Sequence, residues 1–316
     1  LEGDVARKAE YWTAGGNPVV RVYDTLSEED SRWEFGLGCH GVIYVLLERM
    51  QSAGTRALLE HLDACQTARR ETVVATVIRT RGDRFAVGQH LFGDALDCEL
   101  FDAARTTLDT KSSCLLELND ADVFVEYVPA PVRLVVFGAG HDAIPVVNAA
   151  ASLGWNVTVA DVRSGYVKPS RFPGTAEVIT LPPSGDIDVP VDRETAVVMM
   201  THNYPLDVRL LPGLLERKPW YLGLLGPWRR TQRLFEEIGL PASGANLHAP
   251  VGLDIGAENP ESIALSIVAE MQAAASGRDG RPLRWRGGAI HDPVRLAGGP
   301  LARDAFDREA AVCGVA

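Results

Sequence analysis

Arg133-Leu134-Val135-Val136-Phe137-Gly138-Ala139-Gly140-His141-Asp142-Ala143 reads as an apolar strand running into a G-x-G-x-x-A turn and then a helix. Glycines in such a turn let the backbone approach a pyrophosphate. The helix start behind them offers unpaired N–H groups and the positive end of its dipole. Asp161 closes the next apolar run, 21 residues past Gly140 (161 − 140), where a ribose-binding carboxylate belongs. Arg163, two residues on, could accept a ribose phosphate, so NAD and NADP types both stay open. Asp142 suits the helix dipole but would repel a phosphate beside it.

Working outward, apolar runs at Arg133–Phe137, Asn156–Ala160, Ala176–Ile179, Ala196–Met200 and Trp220–Leu225 alternate with helical stretches. Those stretches lie at Asp142–Leu153, Leu206–Leu215, Trp228–Ile238 and Pro260–Ala275. Continuous apolar strands separated by helices predict a mostly parallel sheet covered on both faces, a Rossmann-type α/β domain over 130–276. Pro129-Ala130-Pro131 marks its start. Before it, 1–129 predicts a smaller mixed α+β domain. Its helices are expected at Asp4–Thr13, 55–70 and Asp94–Thr110. Its strands are expected at Pro18–Tyr23, Val42–Leu47, Ser113–Leu118 and Asp122–Val128, with a hairpin of Thr72–Thr80 against Arg84–Leu91. The Gly-, Arg- and Pro-rich stretch 277–316 reads as an extended tail.

A chain of 316 residues is long for one domain, and its formal net charge of −11 argues against general binding to nucleic acid or anionic membrane. No apolar run approaches the roughly 18 residues that span a bilayer. The first residues, Leu1-Glu2-Gly3-Asp4, lack the basic-then-apolar pattern of a secretory signal. Five cysteines without regular spacing do not read as a disulfide framework, and the expected compartment is a reducing cytoplasm.

Further stretches join the glycine turn in one set: Asp161-Val162-Arg163, Arg171-Phe172-Pro173, Thr201-His202-Asn203, Tyr221-Leu222-Gly223-Leu224-Leu225-Gly226, Pro250–Ala257 and Asn259-Pro260-Glu261. With them the chain resembles the XdhC/CoxI family, the accessory proteins of xanthine and carbon monoxide dehydrogenases, over essentially 131–275. Phe35-Gly36-Leu37-Gly38-Cys39 is similar to a cysteine motif of the family's other domain, although His40 stands where the family usually has Gly. Leu1–Val5 looks like the continuation of a first cysteine motif that this sequence does not contain. The resemblance implies a chaperone that takes up sulfurated molybdenum cofactor with help from a cysteine desulfurase. Such a protein delivers its cargo to a molybdenum hydroxylase. A homodimer is left open.

Single residues carry further expectations. Cys39, in a glycine-rich turn, is a candidate thiolate or persulfide carrier. Cys65, Cys98 and Cys114 are expected in the core. His202, at a strand's C-terminal end, is a candidate proton carrier or ligand, with helix capping as the alternative. Arg229 and Arg230, at a helix start, oppose the dipole, so a phosphate partner would explain them. Asp254, between Gly252 and Gly256, completes the candidate cofactor-binding set with Gly138, Gly140, His141, Ala143, Asp161 and Arg163. No metal site is expected. A competing reading is a NAD(P)- or FAD-dependent oxidoreductase, against which the sequence offers no recognisable Lys–Tyr or His–Asp pair for hydride transfer. A third is a vestigial site with no ligand.

Overall fold

The structure, a computed structural model, describes residues 1–24, 42–173, 176–241, 244, 246–287, 290 and 295–297. The chain divides into two compact units. The second, Pro131–Ile290, holds six strands in parallel: β7 (Arg133–Phe137), β8 (Asn156–Asp161), β9 (Ala176–Thr180), β10 (Thr195–Met199), β11 (Tyr221–Leu224) and β12 (Leu247–His248). Their spatial order is β12-β11-β10-β7-β8-β9. Renumbered from β7, that is 6-5-4-1-2-3, the order of dinucleotide-binding sheets. The unit is therefore an α/β fold with a mostly parallel Rossmann-type sheet.

Alternation along each strand explains why these runs are mostly apolar. Leu134, Val136, Val157, Val159, Ala196 and Val198 bury on one face against α4 (Ala143–Ser152) and α7 (Pro260–Ala275). Val135, Phe137, Ala160, Val197 and Met199 bury on the other against α5 (Tyr204–Arg217) and α6 (Trp228–Ile238). A strand covered on both sides has few positions for a polar residue, and the buried Thr158, Asp161 and Thr195 are each hydrogen-bonded. Each Val, Leu or Phe so buried contributes about 1.5–3 kcal/mol. Helix starts are set by local chemistry. Asn259 accepts from Ser262 N and the Ser262 hydroxyl accepts from Asn259 N, a capping box ahead of Pro260. Asn203 caps α5 by accepting from Leu206 N.

The first unit contains α1 (Glu2–Trp12), a two-stranded ribbon of β1 (Val19–Asp24) with β2 (Val42–Leu47), and α2 (Ala53–Thr67). Its five-stranded sheet uses β3 (Thr72–Thr80), β4 (His90–Leu91), β5 (Cys114–Glu117), β6 (Ala121–Val128) and β13 (Arg295–Ala297). α3 (Cys98–Thr110) covers Val73, Ala75, Val77, Val123 and Val125. It is a smaller mixed α+β unit, and three expectations need correcting there. The hairpin partner of β3 is only two residues long, His90–Leu91 against Ala75 and Thr76, while the other edge of β3 pairs along most of its length with β6. The single helix expected over Asp94–Thr110 begins at Cys98, since the Asp97 side chain accepts from Leu100 N and caps it there. The extended tail is interrupted by a 3-10 turn at Leu283–Trp285 and by β13, which pairs in parallel with β5.

Candidate functional site

In a parallel sheet of this order the crevice lies between β7 and β10, because their following helices leave to opposite faces. α4 follows β7 to one face and α5 follows β10 to the other. The two strand exits, Gly138–Asp142 and Thr201–Asn203, are thus neighbours although far apart in sequence. Gly138 makes that approach possible. Its φ is +117°, and a Cβ there would stand 2.3 Å from the carbonyl oxygen of Met200. Its N–H donates to Ala160 O at 2.8 Å, holding the turn against the end of β8.

Asp161 is 2% exposed and accepts four hydrogen bonds. Its Oδ1 takes the Arg163 backbone N–H (2.8 Å) and Nε (3.0 Å). Its Oδ2 takes Ala139 N–H (2.7 Å) and Arg163 Nη2 (2.6 Å). Burial pushes this carboxyl's pKa up, but Arg163 and the two backbone N–H groups outweigh it and the net shift is downward. Four bonds use the lone-pair sites of a carboxylate. The expected ribose contact is corrected accordingly: Asp161 clasps the glycine turn, and Arg163 is its partner rather than a free phosphate acceptor.

Arg230 is corrected on similar grounds. Its Nη2 donates to Asp207 Oδ2 at 2.6 Å, and Asp207, 3% exposed, also accepts from the Thr201 hydroxyl at 2.5 Å. A buried carboxylate on α5 accounts for its place without a phosphate. Arg229 is exposed. Asp254 is exposed too, and Gly252 beside it answers to packing: its φ is +109° and a Cβ would meet Ser266 Oγ at 2.4 Å. His141 is exposed at the turn, and Ala143 is fully buried beneath it.

His202 has a partner that spacing could not reveal. Its Nε2 lies 2.6 Å from Asp142 Oδ2, across 60 residues of sequence. The sequence offers no recognisable His–Asp pair because these two residues follow strand ends that only the sheet order makes adjacent. His202 adopts φ +53°, a left-handed conformation uncommon for a residue with a Cβ. An open cleft of about 300 Å³ is lined by Asp161–Arg163 and Thr201–Leu206.

Arg171 enters the sequence reading only within its motif, yet it reaches the turn. Its Nη1 donates to Ala139 O (2.6 Å) and Tyr166 O (2.9 Å), and its guanidinium lies 4.9 Å from the Tyr166 ring centroid. Nη2 is buried with no acceptor. No carboxylate makes an ion pair with Arg171 among the described residues.

A second carboxylate, Glu270 of α7, holds the loop after β12. It accepts from the Tyr221 hydroxyl (2.5 Å) and Gly252 N–H (2.9 Å), and His248 Nδ1 stands at 3.4 Å. Burial raises its pKa, but His248, Tyr221 and Gly252 bring it below the ordinary range. The Tyr221 hydroxyl is pushed upward by burial and by Glu270.

Cys39 lies outside the described residues. Cys65 and Cys114 are buried, whereas Cys98 is exposed at the start of α3, against the expected core position. Among the described residues no helix is long and apolar enough to cross a membrane.

Comparison with known proteins gives a consistent set. A family model described as the XdhC Rossmann domain matches residues 134–271. A Bacillus subtilis protein, a probable subunit of xanthine dehydrogenase, is 34% identical over 254 residues, covering 79% of this chain and 74% of that protein. PaoD, a molybdenum cofactor insertion chaperone of Escherichia coli, is 28% identical over 144 residues, covering 44% and 39%. A crystal structure of a xanthine dehydrogenase from Bacillus halodurans superposes with a TM-score of 0.70 at 30% identity, covering 90% of this chain and 84% of that one.

Proposed function

This chain belongs to the XdhC family, and from that premise we propose that it is an accessory protein of a molybdenum hydroxylase that carries molybdenum cofactor as cargo. The cargo's phosphate sits at the Gly138–Ala143 turn. The observation that carries this reading is the set of hydrogen-bond donors gathered at the turn. It combines a helix start without a side-chain cap, a glycine pair at the sheet crevice, and Arg171 with one buried guanidinium nitrogen lacking an acceptor. The relatives' names support the cargo: one is an insertion chaperone for this cofactor, another belongs to a xanthine dehydrogenase.

The finer reading follows the resemblance. The client is a hydroxylase of the xanthine or carbon monoxide dehydrogenase type. Cys39 handles the sulfurated form with a cysteine desulfurase as donor, in the cytoplasm. The competing oxidoreductase reading loses its support at Asp161, which has no acceptor site left for the ribose of NAD(P) or FAD.

Reconstitution tests the proposal. A cofactor-free hydroxylase supplied with molybdenum cofactor recovers more activity when this protein is present than when it is absent. Steady nicotinamide reduction by the pure chain with NAD and hypoxanthine, without any partner, would overturn the accessory role.

A further inference from the structure

The place above Gly140 is already taken by a negative charge. Asp142 stands at the N-cap position of α4, where an aspartate ordinarily accepts from the N–H groups of the first turn, yet its side chain makes no such bond. It folds back instead, so that a Cβ on Gly140 would meet Asp142 Oδ1 at 2.4 Å and His202 Cδ2 at 3.9 Å. The other oxygen, Oδ2, is held by His202 Nε2 at 2.6 Å. Gly140 thus leaves room for this carboxylate, whatever the turn binds. The pair stands at the surface of the crevice, with the His202 side chain 59% exposed and Asp142 21%, so either can move without unpacking the core.

We propose that Asp142 is a displaceable internal anion, latched over Gly140 by His202, and that an entering phosphate expels it and takes over His202 as its partner. This rests on the turn being the phosphate site. Two anions at one helix start repel strongly once water is partly excluded. The carboxylate must therefore leave before a phosphate ester or pyrophosphate settles on the free N–H groups of α4. His202, released by Asp142, then donates to the phosphate from the facing strand exit. The latch lowers affinity for phosphate and makes its release easier, which suits a protein that must hand its cargo on. Other charges near the turn are committed or fixed: Asp161 to Arg163, Arg171 to Ala139 O and Tyr166 O.

The full chain, its Asp142→Asn variant and the Asp142→Asn/His202→Gln double variant are titrated with inorganic pyrophosphate by calorimetry. The His202 ring is followed by NMR. Asp142→Asn binds about tenfold more tightly than the parent, a size typical of coupling between competing contacts. The double variant binds more weakly than Asp142→Asn, and pyrophosphate shifts the His202 ring signals of the parent. If the parent binds pyrophosphate but Asp142→Asn binds no tighter, or if the His202 signals stay still, the latch is wrong and the turn as a phosphate site survives. If none of the three proteins binds, both fall together.

Discussion

Asp161 and Asp142 flank the same glycine turn, one at the end of β8 and the other at the start of α4, and their surroundings differ in almost every respect. Asp161 is sealed beneath the turn and engaged by four donors from two segments. Asp142 faces the crevice and has one partner, the imidazole of His202. A buried carboxylate with every acceptor site filled is part of the scaffold, because removing any donor leaves an uncompensated group in a dry place. A partly exposed carboxylate with a single hydrogen-bond partner is exchangeable, because water or another anion can take its place at little cost. The glycines divide in the same way. A Cβ on Gly138 would strike backbone, whereas one on Gly140 would strike only the end of the Asp142 side chain.

Substitutions at the fixed side of this contrast carry the largest effects. Gly138→Ala places a side chain at φ +117° against Met200 O, and a loss of about 3–5 kcal/mol in denaturant unfolding is expected from strain and overlap together. A variant as stable as the parent would show that the two strand exits can separate. Asp161→Ala comes next, at about 2–4 kcal/mol, since it orphans the buried Ala139 N–H and unpairs Arg163. The same residue gives a pH signature. Its carboxyl pKa is depressed in the fold, so its stabilisation is complete above its ordinary value near 3.8 and is lost as pH falls below that through the folded value. The stability gap between parent and Asp161→Ala should narrow in acid, and a gap that stays constant down to pH 2 would contradict the clasp. At the exchangeable side effects are small. Asp142→Asn should change stability by less than about 0.5 kcal/mol, and Gly140→Ala by less than about 1 kcal/mol as the carboxylate swings aside. A loss comparable to that of Asp161→Ala would erase the distinction between the two carboxylates.

The second unit was readable along the chain because its strands are buried on both faces and its helix starts carry their own signals. Arg133–Phe137, Trp228–Ile238 and Pro260–Ala275 have the bounds their apolar runs and the Asn259-Pro260 cap predict. The site was less readable, since its contacts depend on which strands become neighbours. Asp142 and His202 meet only because β7 and β10 adjoin, and Asp207 claims Arg230 from another helix. Asp161 stood at the expected spacing, but spacing cannot tell a carboxylate free for ribose from one turned inward to its own loop. In the first unit, local hairpin reasoning found the short partner β4 of β3, but not β6 on its other edge, which comes from beyond α3 and β5.

The pairing of β13 with β5 ties the order of synthesis to the order of folding. Between Glu117 and Arg295 lie 177 positions (294 − 117), among them the whole six-stranded unit. At about 5–20 residues per second, a ribosome takes roughly 9–36 s to deliver β13 after β5 has emerged. Throughout that interval the outer edge of β5 presents bare N–H and C=O groups to any passing extended segment. A nascent chain of this protein is thus most prone to mispairing while its Rossmann-type unit is being made, and Arg295–Ala297 closes the seam last.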